Sequence, residues 1–273
     1  MPRYFALRLL ATVTLCLAAA LPAPQPEPSP NLAGIAHIAL RVHSLDASIA
    51  FYEKLGFVKA FDLSRDGKVY EAFIKINDHQ FLELYPTTPK DSEVGFLHVC
   101  FYGFDLHSVH DYYAANGLKP TEVKTAGAGN LLFTMPGPAS PTGPQNMEYT
   151  QYMPGSLHSK DAGQHLGPNR IAVEMTRVLI ATDDPAKAAA FYKDKAGFMP
   201  FGVPTPTHTL FKLPGGTSES VEIVPSAQLG HKAQITLDAD PLKATAALKS
   251  TGLTIDTDHI LTDPDGNRIL FAR

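Results

Sequence analysis

The chain has two cysteines in 273 residues, no basic cluster, and no apolar run long enough to cross a bilayer with confidence. With Cys16 inside an N-terminal apolar stretch, only Cys100 remains in the body of the protein, so no internal disulfide is expected even for an exported chain. The net charge of −4, without lysine or arginine patches, gives no electrostatic footprint for nucleic acid or an anionic membrane surface. A hydrophobic content of 44% over this length suffices for the cores of two ordinary domains.

The first residues differ in kind from the rest. Arg3 and Arg8 precede the apolar run "LLATVTLCLAAALPA", the order of a secretory signal, with small residues for cleavage at Ala20 or Ala23. Residues 1–23 are therefore expected to be a leader and the protein exported, periplasmic or secreted. An uncleaved N-terminal anchor is the alternative for the same run, which is short for a span. Loss of Arg3 and Arg8 would take the charge from −4 to −6. Residues 24–32, "PQPEPSPNL", are a proline-rich spacer.

Beyond the spacer the sequence repeats. "HIALRVHSLDASIAFYEKLGF" returns as "HVCFYGFDLHSVHDYYAANGL", setting His37 on His98, Tyr52 on Tyr113 and Gly56 on Gly117, each 61 residues on. A longer copy sets "FYEKLGF" on "FYKDKAGF" at 191–198 and "FLELYP" on "SVEIVP" at 220–225. Each unit reads as an apolar strand, a helix ending at glycine, then strands separated by turn residues: a βαβββ unit. In the second unit "PGPASPTGP" reads as a turn between strands, and 154–170 reads as a surface linker rich in Gly, Ser and charge.

In strands, side chains alternate between faces. His37 shares a face with Ile35, Ala39 and Arg41; Glu83 shares one with Phe81 and Tyr85, opposite Leu82 and Leu84. His98 points away from Leu97, Val99 and Phe101, and Glu148 away from Met147 and Tyr149. A single histidine in an apolar strand is ordinarily a satisfied core residue. Four isolated polar residues at equivalent strand positions are costly to bury without a partner, by several kcal/mol for each carboxylate, and a divalent cation would supply one. The remaining histidines are read as unconnected with the site. His43 and His79 fall at strand ends or turns, His107 and His110 on a helix, His158 and His165 in the linker as solvated residues, and His208, His231 and His259 near loops.

Paired βαβββ units, a strand-borne histidine, "LDASIAFYEKLGF" and the late glutamate of "LEL" resemble the vicinal oxygen chelate superfamily, which holds glyoxalase I, methylmalonyl-CoA epimerase, extradiol dioxygenases and bleomycin-resistance proteins. The resemblance implies an α+β protein of two tandem domains, 33–153 and 171–273, each a pair of βαβββ units forming an open, cup-shaped mixed sheet. It implies one divalent metal ion (Zn, Ni, Co, Mn or Fe) held by His37, Glu83, His98 and Glu148. Arg41 matches a position that contacts the anionic substrate in glyoxalase I, though a surface arginine fits equally well.

In the glyoxalase and epimerase branches the ion binds substrate oxygens and a ligating glutamate moves a proton, so the resemblance implies lyase or isomerase chemistry with Glu148 as the leading base and Glu83 as the second. Three features depart from the glyoxalase pattern: the leader, the missing "DPDG" turn before the last glutamate, and "PGPASPTGP" in its place. An extradiol dioxygenase, using His37, His98 and Glu148 as a facial triad, therefore stays open, as does a metal-free protein that sequesters a small molecule. The partner expected is a small-molecule substrate, with no nucleic acid, no stable membrane association after leader cleavage, and a monomer or homodimer as the assembly. In the second half the repeat carries His37 onto Arg177 and Glu83 onto Glu222, with about Ala233 and Leu270 at the other two positions. No ligand set remains there, and Arg177 and Glu222 are expected to pair across the cup, leaving "DPDGNRILF" as a turn and strand kept for the fold.

Overall fold

The computed structural model describes residues 29–140, 143–205 and 207–273. The expected leader, 1–23, and most of the 24–32 spacer lie outside the described residues. Two units make the first half: β1 (Leu32–Val42), α1 (Leu45–Lys54), β2 (Val58–Arg65), β3 (Lys68–Lys75) and β4 (Phe81–Pro86), then β5 (Gly95–Gly103), α2 (Leu106–Ala115), β6 (Lys124–Thr125), β7 (Leu131–Ser140) and β8 (Gly143–Gln151). A short α3 (Leu157–Asp161) leads to the second half. That half holds β9 (Met175–Thr182), α4 (Pro185–Asp194), β10 (Met199–Thr205), β11 (His208–Lys212), β12 (Ser220–Pro225), α5 (Ser226–Leu229), β13 (Gln234–Asp238), α6 (Pro241–Lys249), β14 (Ile260–Thr262) and β15 (Arg268–Ala272).

Each half is one curved mixed sheet, eight strands in the order β2-β3-β4-β1-β5-β8-β7-β6 and seven in the order β10-β11-β12-β9-β13-β15-β14. The first strands of paired units meet antiparallel at the centre, β1 on β5 and β9 on β13, and each takes its own unit's last strand parallel on its far side. This is the α+β architecture of two tandem cups.

Local chemistry sets the helices. Ser44, Asp105, Asp184 and Asp240 cap the N-termini of α1, α2, α4 and α6 with a side-chain oxygen on a free backbone N–H. The equivalent glycines Gly56, Gly117, Gly197 and Gly252 follow each helix at positive φ. At Gly56 the requirement is double, because φ is +82° and a Cβ there would sit 2.5 Å from the Asn169 carbonyl oxygen. The convex faces of both sheets and the helices between them share one hydrophobic cluster, in which Ile38, Tyr52, Leu82 and Tyr149 join Val178, Tyr192, Phe198 and Ile235.

Three readings change in detail. Ile35 belongs to this core rather than to the face of His37, because a bulge between Ile35 and His37 on β1 inserts Ala36 and reverses the alternation. "PGPASPTGP" does not form a simple turn: β7 runs on to Ser140 and β8 starts at Gly143, with a register shift between Pro136 and Ala139. Residues 154–170 are more than an exposed linker, since they carry α3, with His158 and Asp161 buried.

The second half grips the first. Tyr52 on α1 donates to Asp263 (3.1 Å), and Asp265 takes the His43 ring at 2.6 Å just ahead of the helix and accepts from Ser48 on it at 3.5 Å, so both acids of "DPDGNRILF" clamp α1. Glu219 accepts from the Ile35 backbone N–H (2.5 Å) and from Gln80 (2.6 Å), and the Leu32 N–H donates to the Pro214 carbonyl (2.9 Å).

Candidate metal centre

Strand register assembles the site in two rows across the concave face. Along one, His37 on β1 lies opposite Cys100 on β5, which lies opposite Glu148 on β8. Along the other, Glu83 on β4 lies opposite Ala39, which lies opposite His98. Ala39, with only a methyl group, leaves the space between the rows open. All four sequence-derived ligand residues are thus brought together, and Cys100 joins them.

The Nε2 atoms of His37 and His98 stand 3.2 Å apart, and Glu148 oxygens lie 3.4 Å from His37 Nε2 and 3.7 Å from His98 Nε2. Donors about 2.0–2.2 Å from one divalent ion stand roughly 3.0–3.5 Å from each other, so the two facing nitrogens are spaced as ligands of one ion, with Glu148 turning one oxygen to each ring and Glu83 grouped with both histidines. Glu83 Oε1 is 3.1 Å from His37 Nδ1 but off the N–H direction, leaving that buried nitrogen without a hydrogen bond.

Charge points the same way. Burial pushes His37 down to about 3 and His98 to about 4, so both rings are neutral at pH 7 and share at most one hydrogen between their facing nitrogens. Burial and the nearby Glu71 and Glu148 carboxylates hold Glu83 well above the usual carboxylate range, and burial also raises Glu148. Burial raises the Cys100 thiol too, and its sulfur lies within ligand distance of His37 and Glu148. Two neutral imidazoles and clustered carboxylates are a donor set short of positive charge, and a divalent cation fits it.

A cavity of about 270 Å³ opens beside this set, walled by Glu71, Glu83, Tyr85, Lys124, Glu148 and His158 among others. Tyr85 Oη lies 2.7 Å from Glu71 and 3.1 Å from Glu83, and the phenol has one proton to share between the two carboxyls. Arg41 is not part of this arrangement. Its guanidinium lies 3.8 Å from Asp91, and it lines a separate cavity with Glu93, Leu97, Asn146 and His231.

Sequence reasoning passed over Glu71, Cys100 and His158. Glu71 was available from alternation in "VYEAFIKI", where Ala72, Ile74 and Ile76 are core and Glu71, Phe73 and Lys75 face inward. Cys100 shares its face with His98 by the same rule. His158 gave no such signal, because it lies in no strand and is not the solvated linker residue expected: it is 3% exposed.

In the second cup, register sets Arg177 at the place of His37, Glu222 at that of Glu83 and Leu270 at that of Glu148. Gln234, not Ala233, stands at the place of His98; Ala233 lies in the hydrophobic core. Arg177 and Glu222 face each other at 3.3 Å as an ion pair.

Residues 34–146 match the model of the Glyoxalase/Bleomycin resistance protein/Dioxygenase superfamily. Among solved structures, the Mn(II)-bound glyoxalase from Novosphingobium aromaticivorans is similar at 15% identity and a TM-score of 0.67, over 88% of this chain and 82% of that one. The 2,3-dioxygenase LapB from Pseudomonas sp. KL28 follows at 15% identity and 0.63, over 88% and 92%. An extradiol ring-cleaving dioxygenase from B. fuscum is similar at 15% identity and 0.62, over 91% and 74%. No curated protein matches the chain. The chain shares its tandem-cup fold with a glyoxalase and with extradiol dioxygenases. The family match covers 34–146 alone, the stretch that carries His37, Glu83 and His98, and the likeness of the whole chain to these structures is one of fold.

Proposed function

We propose that the protein is an exported, metal-dependent enzyme acting on a small substrate with two adjacent oxygens, and that it moves a proton at a carbon next to one of them. The observation that carries this reading is the triangle of His37, His98 and Glu148 beside a second carboxyl, Glu83, held protonatable at the cavity wall. A divalent ion bound by the triangle would polarise the substrate's oxygens and make the neighbouring C–H acidic. The chain's own part is the proton: Glu83 opens on the cavity, and Tyr85 and Glu71 hold its side chain in place. This reverses the order expected from sequence, where Glu148 led; Glu148 belongs to the triangle, and Glu83 stands at the other nitrogen of His37. Cavity size limits the substrate to a small molecule.

A two-histidine, one-carboxylate face is also the donor set of non-haem iron oxygenases, and this favours extradiol cleavage as a second reading. One experiment separates the two. Metal-loaded protein in deuterium oxide is incubated with 2-hydroxyketones, 2-oxoaldehyde–thiol adducts and catechols, with substrate deuterium and oxygen uptake followed together. Deuterium incorporation without oxygen consumption is the expected result. Oxygen uptake with a catechol and no incorporation would replace the first reading by the second.

A further inference from the structure

Among the described residues, His158 is the one buried histidine outside the ligand set that borders the same cavity. Four aromatic rings fix its plane: Tyr152 stacks on it at 4.5 Å and 14°, and Phe61, Phe73 and Phe81 meet it edge to face at 5.0–5.4 Å. Neither ring nitrogen has a hydrogen-bond partner among the described residues. Histidines are seldom left in this condition, since a buried imidazole without partners forfeits the hydrogen bonds it made to water.

The placement of the ring is enforced from outside the cage. Ser156 caps α3, and the Leu157 N–H donates to the Ala128 carbonyl at 2.8 Å. Lys75, fully buried on β3, donates to the Asp161 carbonyl (2.7 Å) and carboxylate (2.6 Å), and Asp161 also pairs with His165. A phenylalanine would satisfy the aromatic cage, so the nitrogens are what packing leaves unexplained.

We infer that His158 is a substrate-contacting residue, a hydrogen-bond partner for a polar substituent beyond the two oxygens that face the metal. This rests on the reading of the first cup as a metal-dependent site. It makes α3, which belongs to neither pair of βαβββ units, the element that selects among substrates offering the same pair of oxygens. A neutral imidazole offers one donor and one acceptor, so the substituent recognised is a hydroxyl, carbonyl or carboxylate rather than an alkyl group.

The test uses full-length protein loaded with Co(II) and titrated with 4-nitrocatechol, which carries two adjacent oxygens and a polar substituent, and with catechol, which lacks the substituent. Wild type, H158F and H158Q are compared at measured metal content, with thermal unfolding alongside. In H158F, 4-nitrocatechol should bind roughly tenfold more weakly, with catechol affinity and metal content unchanged and Tm the same or higher; H158Q should recover part of the loss. Equal 4-nitrocatechol affinity in wild type and H158F, with metal bound in both, would overturn the assignment and leave the metal centre standing. A wild-type chain that takes up no metal would overturn both, and the metal analysis alone tells these failures apart.

Discussion

His37 and His98 face each other through their Nε2 atoms at 3.2 Å, from adjacent antiparallel strands and from equivalent places in two repeats. Two imidazole nitrogens pointed at a common point are a poor hydrogen bond and a good chelate. The pseudo-symmetry of the repeat sets two candidate ligands face to face.

Metal binding should follow this pair. Wild type is expected to hold about one divalent ion per chain, and the double variant H98A/E148A none, because it removes two corners of the triangle. Elemental analysis after dialysis against metal-free buffer checks it; full metal content in the double variant would show that the triangle is not the site.

Stability should depend on a cation far from solvent. Lys75 is fully buried between Asp161 and Asp78, at 2.6 and 2.8 Å. K75M leaves the buried Asp161 carboxylate with His165 alone as its partner and should cost about 3–5 kcal/mol, seen in denaturant unfolding. A loss below about 1 kcal/mol would mean that Asp161 finds another partner.

Between pH 4.5 and 7 the contact of the two halves should weaken. Burial raises Glu219 from 4.5 to about 7, so in this window the folded protein holds a proton there that the unfolded chain has released. Its stabilisation is complete below about 4.5 and is lost as pH rises through 7, a change on the order of 1–3 kcal/mol. E219Q, unable to titrate, should lack this component, so at matched salt the Tm of wild type relative to E219Q should fall as pH rises from 4.5 to 7. Parallel profiles would rule the contribution out.

In the second cup, R177M should change stability by less than about 1 kcal/mol, since Arg177 and Glu222 are partly open to water. Its first-cup metal content should be unaltered. An ion bound in the second cup of wild type would contradict the reading of Arg177 as the occupant of that place.

Much of this was legible because strands report their faces two residues at a time and the repeat checks each assignment against its copy. Glu83 and Glu148 lie in strands whose alternation holds around them, and His37 and His98 keep theirs over the residues that follow each of them. Ile35 failed because one extra residue, Ala36, reverses the alternation, and a bulge has no clear mark in apolar sequence. Gln234 was missed by one place for a related reason: the distance from β9 to β13 had to be judged through loops of unequal length. His158 lay beyond any periodic rule, since its burial depends on Lys75, some eighty residues earlier, holding the far end of α3.

The grip of the second half on β1 has a further meaning. Glu219 holds the backbone of Ile35 at the bulge that turns His37 inward, Pro214 holds Leu32 at the strand's start, and Asp263 and Asp265 hold α1 just beyond its end. The half without the candidate ligands thus serves as the jig in which the strand carrying His37 is set. Its freedom to mutate is narrower than an empty cup suggests, for a change near Glu219 could retune metal affinity in a cup it never enters. Cut at 170, the first half would carry every ligand and lack the tool that aligns them.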